Sequence, residues 1–303
     1  MTLPVVITGA TGFVGSAVSR HATTRTHPVA RRGRSDGDRP VLAMDVTDRR
    51  AVREALRGAG SVIHCVSYVG SNPDHAWHVN DEGTAILVEV AAALGIENLV
   101  YVSTAGVYGG GAQRNTYELA PTSPTSEASR SRLSAERRIV AAGGTVIRPH
   151  LTYGVGDRWF IPRLRTAASI LGGVPRGVKV STISVDDLAQ QIWVLHDYAR
   201  RRGHSGVHNA HHNVPTTLGV ILRESCPTDA ERKSVREIHP ERAQNVLVSS
   251  GLSRHQAEML TQENTFSSNL PTILPCLSTP RQFRLSRTDA AWYQEQQRSP
   301  SKE

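Results

Sequence analysis

The chain has 303 residues, 39% of them hydrophobic, enough for one large α/β domain or one domain with a smaller lobe. Its three cysteines, Cys65, Cys226 and Cys276, are far apart and form no CxxC pair, which argues against a disulfide framework or a zinc site and for a reducing, cytoplasmic setting. The formal net charge is +8, yet only Lys179, Lys233 and Lys302 are lysines. The arginines are scattered without the one-face clustering of a nucleic-acid-binding arm, so no nucleic-acid partner is expected.

The N-terminus runs straight into an apolar strand, so no signal peptide is expected, and no apolar run is long enough to cross a bilayer. Up to about residue 150, short apolar runs alternate with amphipathic stretches. LPVVIT (3–8), HPVAR (27–31), PVLAMD (40–45), SVIHCV (61–66), NLVYVST (98–104) and GTVIRP (144–149) lack strict alternation. Such runs predict strands buried on both faces of a parallel sheet. Between them, 75–95 and 131–143 read as helices, with Glu136 and Arg137 on a solvated face. This order predicts an α/β doubly wound sheet that binds ligand at the carboxyl ends of its strands. Further on, 159–173 reads as a helix ended by a Gly pair, and 184–201 as a helix capped by Ser184. GVHNAHHN reads as a short returning strand and loop, and 216–225 as a Thr-capped helix. Short helices are expected around 240–250 and 253–263, then an irregular stretch and a terminal helix at DAAWYQEQQ.

TGATGFVG (8–15) follows the first strand and opens a helix. Gly9, Gly12 and Gly15 are spaced G-x-x-G-x-x-G. The first permits a tight turn, the second lets backbone approach a pyrophosphate, and the third lets helix and strand pack closely. The helix start then offers free N–H groups to the phosphates, with Thr11, Phe13 and Val14 in the same turn. At the end of the second strand, where a carboxylate would bind the ribose 2′-hydroxyl of NAD, stand Arg31 and Arg32. Guanidinium groups suit a 2′-phosphate, which favours NADPH/NADP as cofactor; the alternative is a solvated basic turn. Asp45 and Val46, after the next strand, could pin the adenine, with Thr47 and Asp48 capping the helix that follows.

Taken in order, TGATGFVG, DVTD, VIHCVS, HVNDEGT, LVYVSTAGVYGG, RPHLTYGVGD and SVDDLA resemble the extended short-chain dehydrogenase/reductases, over about residues 3 to 225. The resemblance implies a Rossmann-type core over 1–158 and a smaller C-terminal substrate-binding lobe and lid over 159–295, with 184–209 returning to the core. A disordered tail is expected over 296–303. It implies NAD(P)-dependent redox chemistry and a monomer or homodimer. By position it also implies that Cys65, Val66 and Ser67 line the cofactor cleft and that Asn80 supports the sheet centre. Pro149, His150 and Leu151 would cover the nicotinamide, and Thr104 stands at the family's catalytic Ser/Thr.

One segment departs from the family. Its Tyr-x-x-x-Lys falls on Ala128, Ser129, Arg130, Ser131 and Arg132. In ordinary members the Tyr hydroxyl gives its proton to the carbonyl oxygen, and the Lys lowers that Tyr's pKa and holds the ribose. Ala128 can do no proton chemistry. Arg132 can hold the ribose and favour a developing alkoxide, but cannot exchange a proton near neutral pH.

Three readings follow. In the first, the protein is a ketoreductase whose substrate carries a phenol peri to the ketone, with Thr104, Ser103 and Arg132 as electrostatic helpers. The chain also resembles angucyclinone ketoreductases of antibiotic biosynthesis, which implies an aromatic polyketide substrate. In the second, Tyr68, Tyr117, Tyr153 or His150 is the acid. In the third, the protein is a non-catalytic NADP sensor. A sugar-nucleotide epimerase or dehydratase is disfavoured, because it needs a basic Tyr to oxidise an alcohol. Tyr108, Tyr117, Tyr153 and Trp159 are candidate substrate contacts, Trp159 with core packing as its alternative. The polar loop 109–124 could fold over the substrate, and 226–285 could supply a lid. His208, His211 and His212 lack the carboxylate or Cys neighbours of a metal set, so no metal is expected.

Overall fold

In the computed structural model, residues 3–22, 26–30, 35–36 and 39–298 are described. The apolar runs form β1 (Val5–Thr8), β2 (Thr26–Ala30), β3 (Leu42–Ala43), β4 (Ser61–His64), β5 (Asn98–Val102), β6 (Thr145–Pro149) and β7 (Gly206–Ala210). They lie in one sheet in the order β7-β6-β5-β4-β1-β2-β3, and every pair is parallel. The chain runs outward from β1 through β2 and β3, then returns to β4 and continues the other way. The reversal opens a crevice between the carboxyl ends of β1 and β4. This is the doubly wound α/β architecture expected from the sequence.

The helices are α1 (Phe13–Arg20), α2 (Arg49–Leu56), α3 (Gly83–Ala93), α4 (Glu127–Ala141), α5 (Ile161–Leu171), α6 (Val185–Arg202), α7 (Leu218–Ser225), α8 (Pro240–Ser249), α9 (Arg254–Thr261) and α10 (Arg287–Arg298). Successive strand residues point to opposite faces. Ile7, Ile63, Val100 and Ile147 pack beneath α1 and α6, whereas Val6, Val62, Tyr101 and Val146 pack beneath α2, α3 and α4. Side-chain caps fix several helix starts: Asp48 accepts from the Arg50 and Ala51 N–H groups, Ser184 from Asp187 and Thr217 from Val220. α4 begins four residues before the expected 131, because Ser126 caps it and Glu127 stands in its first turn. The expected single helix over 75–95 is interrupted: Trp77–Glu82 is π-helical and leads into α3.

A third apolar cluster, with Phe160, Leu164, Val174, Leu218, Leu247 and Tyr293, forms the core of the smaller lobe. Beside it lies a four-stranded sheet in the order Thr216–Thr217, Lys179–Val180, Asn264–Phe266, Gln113–Thr116. This sheet corrects one expectation. The stretch 109–124 is no open loop, because its middle is a strand paired with Asn264–Phe266. Within 226–285, the strand Asn264–Phe266 is paired on both sides, and Ala257, Leu260 and Phe266 are buried. The tail expected at 296–303 is helical to Arg298, and the rest lies outside the described residues. Among the described residues, no helix is long and apolar enough to cross a membrane.

Candidate active site

The glycines of the first turn are held by close backbone packing. Gly9 has φ +68°, and a Cβ there would lie 2.9 Å from both the Cys65 carbonyl carbon and the Val66 nitrogen. A Cβ on Gly15 would lie 2.1 Å from the Gly9 oxygen. The Gly12 N–H donates to that oxygen at 2.9 Å. The start of α1 therefore presses on the loop after β1, and both meet the chain leaving β4. Thr11 and Gly12 are exposed, and Phe13 and Val14 are half-buried. Cys65, Val66 and Ser67 are half-buried beside this turn; burial pushes the Cys65 thiol up to about 12, which keeps it protonated at neutral pH. The Ser67 hydroxyl is buried without a partner. Asp45 accepts from the Thr47 N–H at 3.0 Å and the Thr47 hydroxyl at 2.8 Å, and Val46 is buried against Gly83. Arg31 and Arg32 lie outside the described residues.

Beneath the turn, His64 joins β1 to α3, with Nδ1 2.6 Å from the Thr8 hydroxyl and Nε2 3.0 Å from that of Thr84. Burial lowers this imidazole to about 3, so it is neutral. Asn80, within the π-helical turn, accepts from the Tyr68 N–H at 2.6 Å and donates to the Tyr68 carbonyl at 2.9 Å and the Ser131 hydroxyl at 3.0 Å. It ties the chain after β4 to α4. On α4, Ala128 and Arg132 are one turn apart. The Arg132 Nη2 donates to the carbonyls of Val102 and Ser103, while its Nε is buried without a partner. Thr104 accepts from the Gly106 N–H at 3.1 Å, and the Ser103 hydroxyl is buried without a partner.

The structure separates the four candidate substrate contacts. The Tyr108 hydroxyl donates to Asn209 Oδ1 at 2.7 Å and accepts from Arg148 at 2.9 Å, so it is committed within the fold. Arg148 also holds both Glu136 oxygens, and both side chains are nearly inaccessible, at 5% and 3%. Glu136 is therefore not on a solvated face; its exposed neighbour is Arg137. The Tyr153 hydroxyl donates to the Arg284 carbonyl at 3.1 Å, its ring packs on Phe283, and burial pushes its pKa up; it does not serve as a ready acid. Tyr117 is exposed, and Trp159 is exposed with the Arg163 guanidinium 4.7 Å above its ring, while Phe160 takes the core position. Tyr68 receives the Asn72 N–H at 3.4 Å.

Pro149 ends β6, and Leu151 has φ +38°, a strained value for a Cβ-bearing residue. Between them His150 is buried, with its ring 4.5 Å from that of Phe266. Sequence reasoning missed Asp157, which accepts three N–H groups at the start of α5 and the Tyr293 hydroxyl. The cap spacing before α5 is the signal that could have found Asp157. Among the described residues, no group of three or more His, Cys, Asp or Glu is placed to hold a metal ion.

The model of the NAD dependent epimerase/dehydratase family matches residues 5–211. The chain is 30% identical over 183 residues to a dTDP-4-dehydrorhamnose reductase of Mycolicibacterium smegmatis, covering 57% of this chain and 54% of that one. It is 29% identical over 187 residues to a 2-alkyl-3-oxoalkanoate reductase of Stenotrophomonas maltophilia, covering 55% and 56%. It thus spans about half the length of the curated relatives it matches. Among solved structures, a UDP-glucose-4-epimerase from Stenotrophomonas maltophila with bound NAD superposes with TM-score 0.75 at 16% identity, covering 98% of this chain and 99% of that one. A dTDP-glucose 4,6-dehydratase from Streptomyces venezuelae does so with TM-score 0.72 at 19% identity, over the same shares of the two chains. At such identities the likeness is one of fold.

Proposed function

We propose, from the premise that this chain belongs to the NAD dependent epimerase/dehydratase family, that it is an NADPH-dependent ketoreductase. Its substrate is an aromatic polyketide ketone of the angucyclinone type, reduced without a protein tyrosine acid. The observation that carries this reading is the contrast within one crevice: a tightly built glycine turn, and beside it an intact α4 with Ala128 at the acid position. The residues fit a dinucleotide. A Cβ would fill the Gly9 and Gly15 positions, and the Ser67 hydroxyl, the Ser103 hydroxyl and the Arg132 Nε are buried without partners.

Gly9, Gly12 and Gly15, with Thr11, Phe13 and Val14, would hold the pyrophosphate at the start of α1. Asp45 and Val46 would hold the adenine end, Arg31 and Arg32 the 2′-phosphate, and Arg132 the ribose. Cys65, Val66, Ser67, Pro149, His150 and Leu151 would wall the cleft. When bound, the nicotinamide supplies the hydride. Charge then develops on the ketone oxygen, and Ala128 offers nothing to it. A phenol peri to the ketone takes the tyrosine's place through its internal hydrogen bond. The Ser103 and Thr104 hydroxyls and the Arg132 charge add electrostatic support. Two of the relatives are named reductases, which is in keeping with reduction. The nucleotide-sugar enzymes among the structural neighbours favour a second reading, an epimerase or dehydratase. That chemistry starts by removing a proton from an alcohol, and Ala128 cannot do so.

The test is a panel of aromatic ketones, with and without peri hydroxyls, offered with NADPH or NADH, following cofactor absorbance and product mass. Turnover is expected only for ketones bearing the peri hydroxyl, with NADPH preferred about tenfold or more, the worth of one good charged contact. NADPH binding with no turnover of any ketone would leave the non-catalytic sensor, and turnover of a nucleotide sugar would establish the second reading.

A further inference from the structure

The turn after the strand Thr152–Tyr153 reads GVGD. Gly154 and Gly156 have φ +120° and +99°, values that suit glycine and leave the turn loose unless something else fixes it. The C-terminal helix does so. Asp289 and Tyr293 are the two buried side chains of α10 among those described, and both bond to this turn. Asp289 accepts from the Val155 N–H at 3.1 Å through Oδ1, and from the Ser286 N–H at 3.0 Å through Oδ2. The Tyr293 hydroxyl accepts from the Gly154 N–H at 2.9 Å and donates to Asp157 Oδ2 at 2.8 Å. Just before the helix, the Arg284 N–H donates to the Tyr153 hydroxyl at 3.2 Å, and the Arg284 carbonyl accepts from it at 3.1 Å. The end of the chain thus grips Tyr153, Gly154, Val155 and Asp157.

The other side of this turn meets the glycine end of the crevice. A Cβ on Gly156 would lie 3.0 Å from Cδ2 of Phe13, the first residue of α1. On the side of the C-terminal helix, a Cβ on Gly154 would lie 2.9 Å from Asp289 Oδ1. The turn is therefore wedged between α10 and the start of α1, with little room on either side. A helix that only covered the lobe would need the Tyr293 ring, which packs in the lobe core, and not its hydroxyl. The hydroxyl instead satisfies a backbone N–H of the turn and the carboxylate that caps α5. Removing it leaves both short of a partner in a buried place.

We propose that Tyr293 and Asp289 are positioning residues for the dinucleotide: through the turn 154–157, the C-terminal helix holds Phe13 and the start of α1 in the form that receives the pyrophosphate. The proposal rests on the reading that a nicotinamide dinucleotide lies on that helix start.

The experiment pairs calorimetric binding of NADPH and NADH with amide hydrogen exchange, both on the full chain. The variants are Tyr293→Phe, Asp289→Ala and Asp289→Asn. Thr217→Ala is the control, because it removes a helix cap in the same lobe without touching the turn. Tyr293→Phe and Thr217→Ala should each lower the melting temperature by about 2–4 °C. Only Tyr293→Phe should also weaken the cofactor about tenfold and speed exchange severalfold, both at 154–157 and at 12–16. Asp289→Ala should behave like Tyr293→Phe. Asp289→Asn, which keeps an acceptor for the Val155 N–H, should recover part of the loss. Wild-type cofactor affinity in Tyr293→Phe, an equal loss in Thr217→Ala, or unchanged exchange at 12–16 would each overturn the proposal. The two claims fail separately. A wild-type protein that binds neither NADPH nor NADH sinks the dinucleotide reading, while exchange at 12–16 still decides whether α10 governs that helix start.

Discussion

The two ends of the crevice are built by different means. At the glycine end the backbone does the holding: Gly15 admits no Cβ against the Gly9 oxygen, and Gly9 admits none against Cys65 and Val66. At the chemistry end side chains do it, and the fold does not require the ones that an ordinary reductase uses. α4 starts, packs and ends properly with Ala128 where a tyrosine would stand, because Ser126, Ala135 and Ile139 supply its cap and its buried face. Close backbone packing therefore fixes the residues at the first end. At the second, chemistry can change while the scaffold persists.

The largest expected effect attacks the first end. Gly15→Ala places a Cβ 2.1 Å from a backbone oxygen that cannot step aside. We expect a loss of about 2–3 kcal/mol in unfolding free energy and about a hundredfold in NADPH affinity. Gly143→Ala is the control: φ there is +77° and nothing lies within 4 Å of the new Cβ, so only conformational strain of about 1 kcal/mol applies and cofactor affinity is untouched. Denaturant titration and calorimetry separate the two. Equal NADPH affinity in both variants would break the comparison, since the turn would then be spacious rather than tightly packed.

Sequence patterning carried the reading of the first end further than that of the second. Strands buried on both faces leave uninterrupted apolar runs, so β1, β4, β5 and β6 stand where the runs stand, and the glycine spacing marks the turn between β1 and α1. The lobe was less legible, because its order comes from distant partners. Gln113–Thr116 is polar and becomes a strand only by pairing with Asn264–Phe266, about 150 residues away. Glu136 and Arg137 read alike in sequence, yet one turn of α4 buries the first against Arg148 and exposes the second. The same holds for Tyr108 and Tyr153, which look like substrate contacts until their hydroxyls are seen engaged by Asn209 and by the Arg284 backbone.

A second test uses one buried imidazole from each end. His64 and His150 both stay neutral to about pH 3 in the folded protein, against an ordinary 6.5. Between those values the unfolded chain binds protons that the folded one refuses, so stability is lost as the pH falls from about 6.5 towards 3. From pH 7 to pH 5 each ring is expected to cost about 2 kcal/mol. The two differ at neutral pH. His64→Phe removes bonds to Thr8 and Thr84 and should destabilise at pH 7, whereas His150→Phe discards a nitrogen without a partner and should mainly flatten the acid slope. Unfolding followed at both pH values gives the two slopes, and an unchanged slope in either variant would mean that its ring is not held neutral.

The smallest effect is the most discriminating, because its sign differs between stability and function. Thr104 and Ser103 are neighbours at the end of β5, yet of their two side chains only that of Thr104 has structural work: its oxygen caps the Gly106 N–H. Thr104→Ala should cost about 1 kcal/mol, as loss of a side-chain cap does. Ser103→Ala removes a buried hydroxyl with no partner, so the ligand-free protein should be unchanged or slightly more stable, by a few tenths of a kcal/mol up to about 1 kcal/mol. If that hydroxyl is kept for the bound cofactor or for the ketone oxygen, the same variant should lose severalfold in turnover or NADPH affinity while gaining in melting temperature. A variant that gains stability and loses nothing would show that the chemistry end owes nothing to Ser103, and that the substrate's own phenol provides the stabilisation the missing tyrosine once gave.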